Sequence, residues 1–506
     1  MKILYTLVLS AISLSIVNAQ NITDGLRYST EENIGSARFT AMSGAMGALG
    51  GDLSAMSKNP AGSAVFLNSS VTLSASLLDV DNDATYFGNM ENGKEDRLTL
   101  NQAGGVFVLN NFNESSAFKK LTIGVNYETT KNFNNELYLS GIGNTSISEF
   151  FLAQAQGIPL DLLETQGNET ISSLYQYLGQ NHGTQAQNAF LGYQGYLFDP
   201  VDPNNLSNTA YTSNVSGNRF NQQYLNVSKG YNSKFTVNIG AQVTNDLYFG
   251  VNVNTHSLDY RQSSFFAESN SNSGSKINRI GFENNLTVYG SGVSAQIGAI
   301  ARVAENFRFG LSLDTPTWFQ ISEETSQYLE TRRMEDGQNK TAIVDPRILN
   351  VYEDYTLKTP GKITASAAYV FNQAGLISID YSYKDYSNIK FRPTNDSYFR
   401  DLNYEIGNTL KGASILRLGA EYRIAQLSLR GGFHYEESPY KNDQMVGDLT
   451  GFSLGTGYNF GNFNLDLAYS RSEQTSKMQM FSEGLTSRAD INSVYSNFIL
   501  SFAFNL

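Results

Sequence analysis

Strict alternation of apolar and polar residues constrains this chain more than any other feature. Phe235, Val237, Ile239, Ala241 and Val243 alternate with Thr236, Asn238, Gly240 and Gln242. After Thr244-Asn245-Asp246 the pattern resumes, with Leu247, Phe249, Val251 and Val253 against Tyr248, Gly250, Asn252 and Asn254. Leu416, Leu418, Ala420, Tyr422 and Ile424 alternate with Arg417, Gly419, Glu421 and Arg423 in the same way. Successive side chains of a strand point to opposite faces, so each segment has one apolar and one polar face. A soluble sandwich would also alternate, with its apolar face inward. Charged residues at mid-strand favour a wet lumen instead, as in a transmembrane barrel.

Composition agrees. The chain carries 31 Phe and 30 Tyr, yet its mean hydropathy is −0.30. Beyond the first residues, no stretch approaches the ~18 consecutive apolar residues of a membrane helix. The expected fold is all-β: a transmembrane antiparallel barrel of about 14 strands. The strands begin near Val71, Leu98, Leu121, Phe235, Leu247, Leu286, Phe307, Lys362, Leu376, Ile415, Leu427, Gly451, Phe463 and Asn497. Brief turns (Thr244–Asp246, Ala304–Asn306, Asn372–Gly375, Gly461–Asn462) alternate with long connections at 132–230, 262–279, 325–354 and 474–490. Outer-membrane barrels place short turns on the periplasmic side and long loops outside. The last strand, with Phe498, Leu500, Phe502, Phe504 and Leu506, runs to the final residue.

Lys2 followed by the apolar run Ile3–Val17 and the small residues of Val17-Asn18-Ala19 reads as a cleavable leader, residues 1–19. There is no cysteine, so neither disulfides nor thiolate chemistry is available. The net charge of −12 argues against nucleic acid. With three scattered histidines and no cysteine, no metal, haem or other cofactor is expected, and no catalytic Ser–His arrangement stands out.

Between the leader and the first strand lies SARFTAMSGAMGALGGDLSAMSKNPAG, Ser36–Gly62, rich in small residues that allow close backbone approach. Asp52 has the form of a helix N-cap, and Pro60 disfavours helix at Asn59. The pattern predicts a compact wedge, a hatch over residues 20–66, with the barrel occupying 67–506. The run G-x-A-R-x-x-A-M-x-x-A-x-x-A-L-x-x-D-x-S-A-x-x-x-N-P-A-G, Gly35–Gly62, resembles the N-terminal hatch of FadL/TodX-type outer-membrane transporters for hydrophobic compounds. Fourteen is also that family's strand number. The resemblance implies passive transport of small hydrophobic molecules, long-chain fatty acids or similar, through a hatch-gated barrel in contact with outer-membrane lipid. It also implies a lateral exit at a kinked third strand, here Leu121–Thr129, where Gly124 is the visible break. The alternative is an accessory or docking component of a protein-secretion or surface-assembly machine. Neither reading is enzymatic.

Individual residues carry specific expectations. Phe39, Met42, Met46 and Leu49 supply the apolar atoms of the hatch and are candidates for ligand contact. Asn59, Pro60 and Ala61 form its candidate hinge. Arg38 is expected to pair with a lumen carboxylate, Glu421 or Asp380. In the longest connection Phe150, Phe151, Leu160, Leu163, Tyr175, Phe190 and Tyr193 are candidates for an apolar groove or a packed lid.

Overall fold

The computed structural model describes residues 20–113, 116, 118–335, 337–372, 374–442 and 445–506. The leader expectation, residues 1–19, lies outside them. Fourteen strands close into one antiparallel barrel. They are β1 (Ser70–Tyr86), β2 (Asn89–Asn110), β3 in two segments (Lys120–Asn132 and Asn135–Gly143), β4 (Phe220–Gln242), β5 (Leu247–Ser269) and β6 (Ile277–Ala304). Next come β7 (Phe307–Asp314 and Trp318–Glu335), β8 (Tyr355–Lys358 and Lys362–Phe371), β9 (Gly375–Asp385) and β10 (Gly412–Ile424). The circuit ends with β11 (Leu427–Glu436), β12 (Leu449–Asn459), β13 (Phe463–Gln479) and β14 (Arg488–Asn505). Neighbours in sequence pair throughout, and β1 pairs with β14 to close the barrel, Ser70 opposite Asn505.

The two faces decide between membrane barrel and sandwich. Val237, Ile239, Phe249, Val251, Phe309, Leu311, Ile377 and Ile379 are exposed on the outside, whereas Thr236, Asn238, Asn252, Ser312, Ser378 and Asp380 are buried within. This inverts a water-soluble domain. It is the arrangement required when the outside faces hydrocarbon and every backbone group is paired around a closed ladder.

The strands outrun their expected lengths on the outer side. Residues 262–279 and 325–354 are not open loops: β5 continues to Ser269, β6 starts at Ile277, and β7 reaches Glu335 to pair with a further strand, Gln338–Val344. Above the membrane no face meets lipid, so ladder pairing persists there without apolar alternation. The connection expected at 132–230 likewise narrows, because its first residues extend β3 and its last belong to β4.

That connection caps the barrel. It contains α1 (Ser148–Ala155) and α2 (Ile171–Gln194), the latter broken at Gly183, whose φ of 85° and ψ of 179° are non-helical. A third cap helix, α3 (Ser397–Thr409), is N-capped by Asp396 and was not evident from the sequence.

Gln20–Phe66 fills the lumen. It holds two short helices, α4 (Ile22–Ser29) and α5 (Ala37–Ala41), and two 3-10 turns, Ser54–Ser57 and Pro60–Val65. Asn21 caps α4 and Ser36 caps α5 through their side-chain oxygens. The all-β barrel plugged by an N-terminal hatch is therefore as expected.

Candidate functional site

The plug is tied to the wall by polar side chains that the barrel points inward. Asn59 Nδ2 donates to the carbonyl of Gly47 (2.8 Å) and to that of Ala299 on β6 (3.0 Å), while its Oδ1 accepts from Ala61 N (3.1 Å). Asn238 donates to Pro60 O (3.0 Å), Asn252 to Met56 O (2.9 Å), Gln296 to Ser57 O (3.1 Å) and Ser312 to Lys58 O (2.8 Å). The candidate hinge Asn59-Pro60-Ala61 thus lies buried in a dense hydrogen-bond lattice. Glycines on the inner wall make this contact possible. A Cβ at Gly250 would collide with the backbone of Pro60, and one at Gly310 with that of Gly47.

Arg38 Nε stands 3.0 Å from Glu421 Oε2 on β10. Glu421 also receives Arg430 (2.7 Å) and Arg423 (2.7 Å), and Arg430 continues to Asp466. Asp380 has a different partner: its carboxylate accepts Met46 N (3.1 Å) and Gly47 N (2.9 Å). Phe39, Met42, Met46 and Leu49 are all buried in one cluster with Ala368 and Leu376 of the wall.

The plug meets open space earlier in the sequence. Between its segment Thr23–Ile34 and the inner faces of β1, β10, β11, β12, β13 and β14 lies a cavity of about 370 Å³. Leu26 and Ile34 of the plug, with Leu78, Leu449, Tyr440 and Val446 opposite, supply its apolar wall. Arg417, Glu32 and Lys131 bring charge to its lining, and His434 an imidazole. The volume falls in the range of small-molecule pockets, roughly 300–1,000 Å³. None of the four apolar hatch candidates lines it. Sequence reasoning missed Thr23–Ile34 because those residues are mostly polar and their one helical signal, Ile22 and Leu26 four apart after the cap Asn21, is short.

The electrostatics around this segment are set by burial and close cations. Glu31 is 3.0 Å from Lys362, which holds its carboxyl well below the usual range. Glu32, whose carboxylate receives Asn132 N (3.2 Å), is pushed up to about 7, chiefly by burial, with Lys131 opposing.

Strand β3 breaks beside the cavity. The β2–β3 ladder stops at Gln102–Glu128, and beyond it the second segment of β3 pairs with β4 but with no described residue of β2. Instead Leu137 and Leu139 pack behind the hairpin, against Ala84 and Tyr86. The break falls at Asn132-Phe133-Asn134, where Asn134 N bonds back to Asn132 Oδ1 (2.9 Å) and Phe133 turns inward onto Tyr260, 5.2 Å between ring centres. Gly124 is not the break. It sits within continuous pairing, and its missing side chain leaves room for the sulfur of Met56.

In the cap, Phe150, Phe151, Leu160, Leu163, Tyr175 and Phe190 are buried in one core with Phe282 and Leu329, and Tyr193 packs at its edge. The first six close on one another, while Tyr193 and Phe198 border an open surface pocket of about 720 Å³ with Glu164, Tyr196 and Asp199. Of the histidines, His256 contacts Ser294 Oγ at 2.9 Å, but around a cavity of about 40 Å³, room for little more than water. No described Asp or Glu hydrogen-bonds that ring.

No protein-family model and no curated protein matches the chain. Solved structures do. A FadL homologue of Pseudomonas aeruginosa superimposes with a TM-score of 0.54 at 13% identity, covering 94% of this chain and 99% of that one. The toluene transporter TodX of P. putida gives 0.52 at 14% identity, covering 94% and 99%. At such identities the likeness establishes the fold alone: a FadL/TodX-type barrel with its lumen plugged.

Proposed function

We propose that this FadL-type barrel passes small hydrophobic molecules across the outer membrane without an energy source, and that displacement of the hatch gates the path. The observation that carries the reading is the cavity of about 370 Å³ between Thr23–Ile34 and the wall. An apolar guest placed there leaves water on both sides, which favours binding by roughly 25 cal/mol per Å² of buried apolar surface. The solved relatives fit the same reading, one being described as a toluene transporter. Long-chain fatty acids belong to the class that the cavity would take. The inward turn of β3 at Phe133, next to Lys131 of the cavity lining, supports a sideways exit toward the bilayer.

The test is native mass spectrometry of the purified barrel together with organic extraction of its contents. A hydrophobic molecule should co-purify, and Leu449→Trp, which fills the cavity, should remove it. A barrel that is empty and takes up no hydrocarbon, alcohol or fatty acid would sink the transport reading and leave docking as the surviving role.

A further inference from the structure

We propose that the cap carries a site for a neutral sugar, the pyranose rings of an oligosaccharide, in the surface pocket beside Tyr193 and Tyr196. The pocket measures about 720 Å³, within the roughly 300–1,000 Å³ of small-molecule sites. It shares no lining residue with the lumen cavity. It opens where the chain leaves α2 and runs through Tyr196 to Phe198.

Tyr196 marks the place. Just past the end of α2 it adopts the left-handed region, with a φ of 59°, where glycine is the usual residue because a side chain is strained there. Its neighbours fix that conformation: Tyr196 N bonds to Tyr193 O (2.9 Å), and Asn214 Nδ2 donates to Tyr196 O (3.1 Å). Yet the ring gains little burial, the residue being 47% exposed. The Arg333 guanidinium lies over it, 3.9 Å from the ring centre. An aromatic ring held in a strained turn and left half open serves a ligand better than it serves the core.

The chemistry around the ring selects the guest by elimination. Glu164 accepts the Tyr193 hydroxyl (2.7 Å), Asp199 pairs with Lys276 (2.9 Å), and Arg333 pairs with Glu335 (3.0 Å). A cation would meet Arg333 and Lys276, and an anion would meet Glu164 and Asp199. A wholly apolar guest would strip water from both carboxylates. A sugar ring avoids all three costs. Its C–H face can lie on an aromatic ring, and its hydroxyls can donate to carboxylates that each have room for further bonds. Phe198, 1% exposed and edge-on to Tyr211 at 5.2 Å between ring centres, gives the pocket a rigid floor.

The probes are neutral trisaccharides of glucose, galactose, mannose and N-acetylglucosamine. Trigalacturonate is the anionic control and tetramethylammonium the cationic one. Saturation-transfer NMR titrations read their binding to the full chain in an oxyethylene detergent, which has no sugar head. At least one neutral trisaccharide should bind, and neither control should. Tyr196→Gly should weaken that binding at least about tenfold. Its thermal midpoint should stay near that of wild type, because glycine suits the left-handed turn. Glu164→Gln, a second variant outside the turn, should also weaken binding, and heat-modifiable migration checks the folding of both. Binding of none of the four sugars, or binding that survives in both variants, would overturn the site. Tighter binding of either control would also overturn it, by assigning the pocket to an ion. Uptake of dodecanol into cells should be the same for wild type and Tyr196→Gly. A loss of that uptake would make the pocket a capture step for hydrophobic molecules and would refute the sugar assignment.

Discussion

Glu421, on the inner face of β10, receives Arg38 of the plug at 3.0 Å and Arg430 of β11 at 2.7 Å. One carboxylate therefore joins plug to barrel and neighbouring strands to each other. Its side chain is fully screened from solvent, that of Arg38 less so at 18% exposed. The asymmetry predicts unequal mutants. Glu421→Gln takes from Arg38 its ion-pair carboxylate and leaves Arg430 with Asp466 alone, and should cost about 3–5 kcal/mol. Arg38→Ala leaves Glu421 its other two arginines and should cost markedly less. Thermal unfolding in detergent measures both, and equal losses would refute the assigned hierarchy.

The glycines opposite the plug give a second prediction. Gly250→Ala places a methyl group on the backbone of Pro60, and Gly310→Ala one on Gly47. Neither target can swing aside as a long side chain could, so each substitution should destabilise plug seating by about 1–3 kcal/mol. Limited proteolysis reads the outcome as faster cleavage near Asn59–Gly62, with heat-modifiable migration of the barrel retained. Protection equal to wild type in both variants would contradict the close packing.

The barrel was legible because lipid on one side and water on the other impose a period of two, and all fourteen expected strand positions fall on observed strands. The pattern fades where both faces meet water, which is why the outer thirds of β5, β6 and β7 read as loops. Helix α3 was missed although Phe399, Leu402 and Ile406 recur at helical spacing after the cap Asp396. The candidate site was less accessible. The pairing of Arg38 with a lumen carboxylate could be anticipated from charge type alone. The cavity could not, because Leu26, Leu78 and Leu449 come from elements far apart in sequence and meet only through barrel closure.

Glu32 predicts a pH dependence. Burial raises its folded-state value to about 7 from an ordinary carboxylate range, so the folded plug holds this proton more tightly than the unfolded chain does. Its contribution is fully present below about pH 4.5 and is lost as pH rises through about 7. Lys131 of β3 and Tyr495 of β14 are the neighbouring titratable groups, and Arg27, Glu31 and Glu436 share the cavity. Amide hydrogen exchange over Thr30–Ile34, corrected for intrinsic rates, should show opening that becomes easier between pH 5 and 7.5. Glu32→Gln should flatten that trend. A wild-type profile already flat would exclude Glu32 as its source.

Whether the plug must move for uptake can be decided by locking it. Ser43 and Ser453 bring their hydroxyl oxygens within 2.7 Å of each other, one on the plug and one on β12, and both are buried. The native chain has no cysteine, so Ser43→Cys with Ser453→Cys would introduce a single unambiguous pair. The bond should form with little backbone movement, since the two residues already touch. If the plug gates the path, oxidation should stop uptake of radiolabelled dodecanoate and dodecanol into cells, and dithiothreitol should restore both. The lattice around Asn59 favours this outcome, because so many wall contacts leave no bypass without rearrangement. Uptake at the wild-type rate through fully oxidised protein would mean that Ala41–Gly47 stays seated during transport. The moving part would then lie outside this stretch, and hatch displacement as a whole would have to be abandoned as the gate.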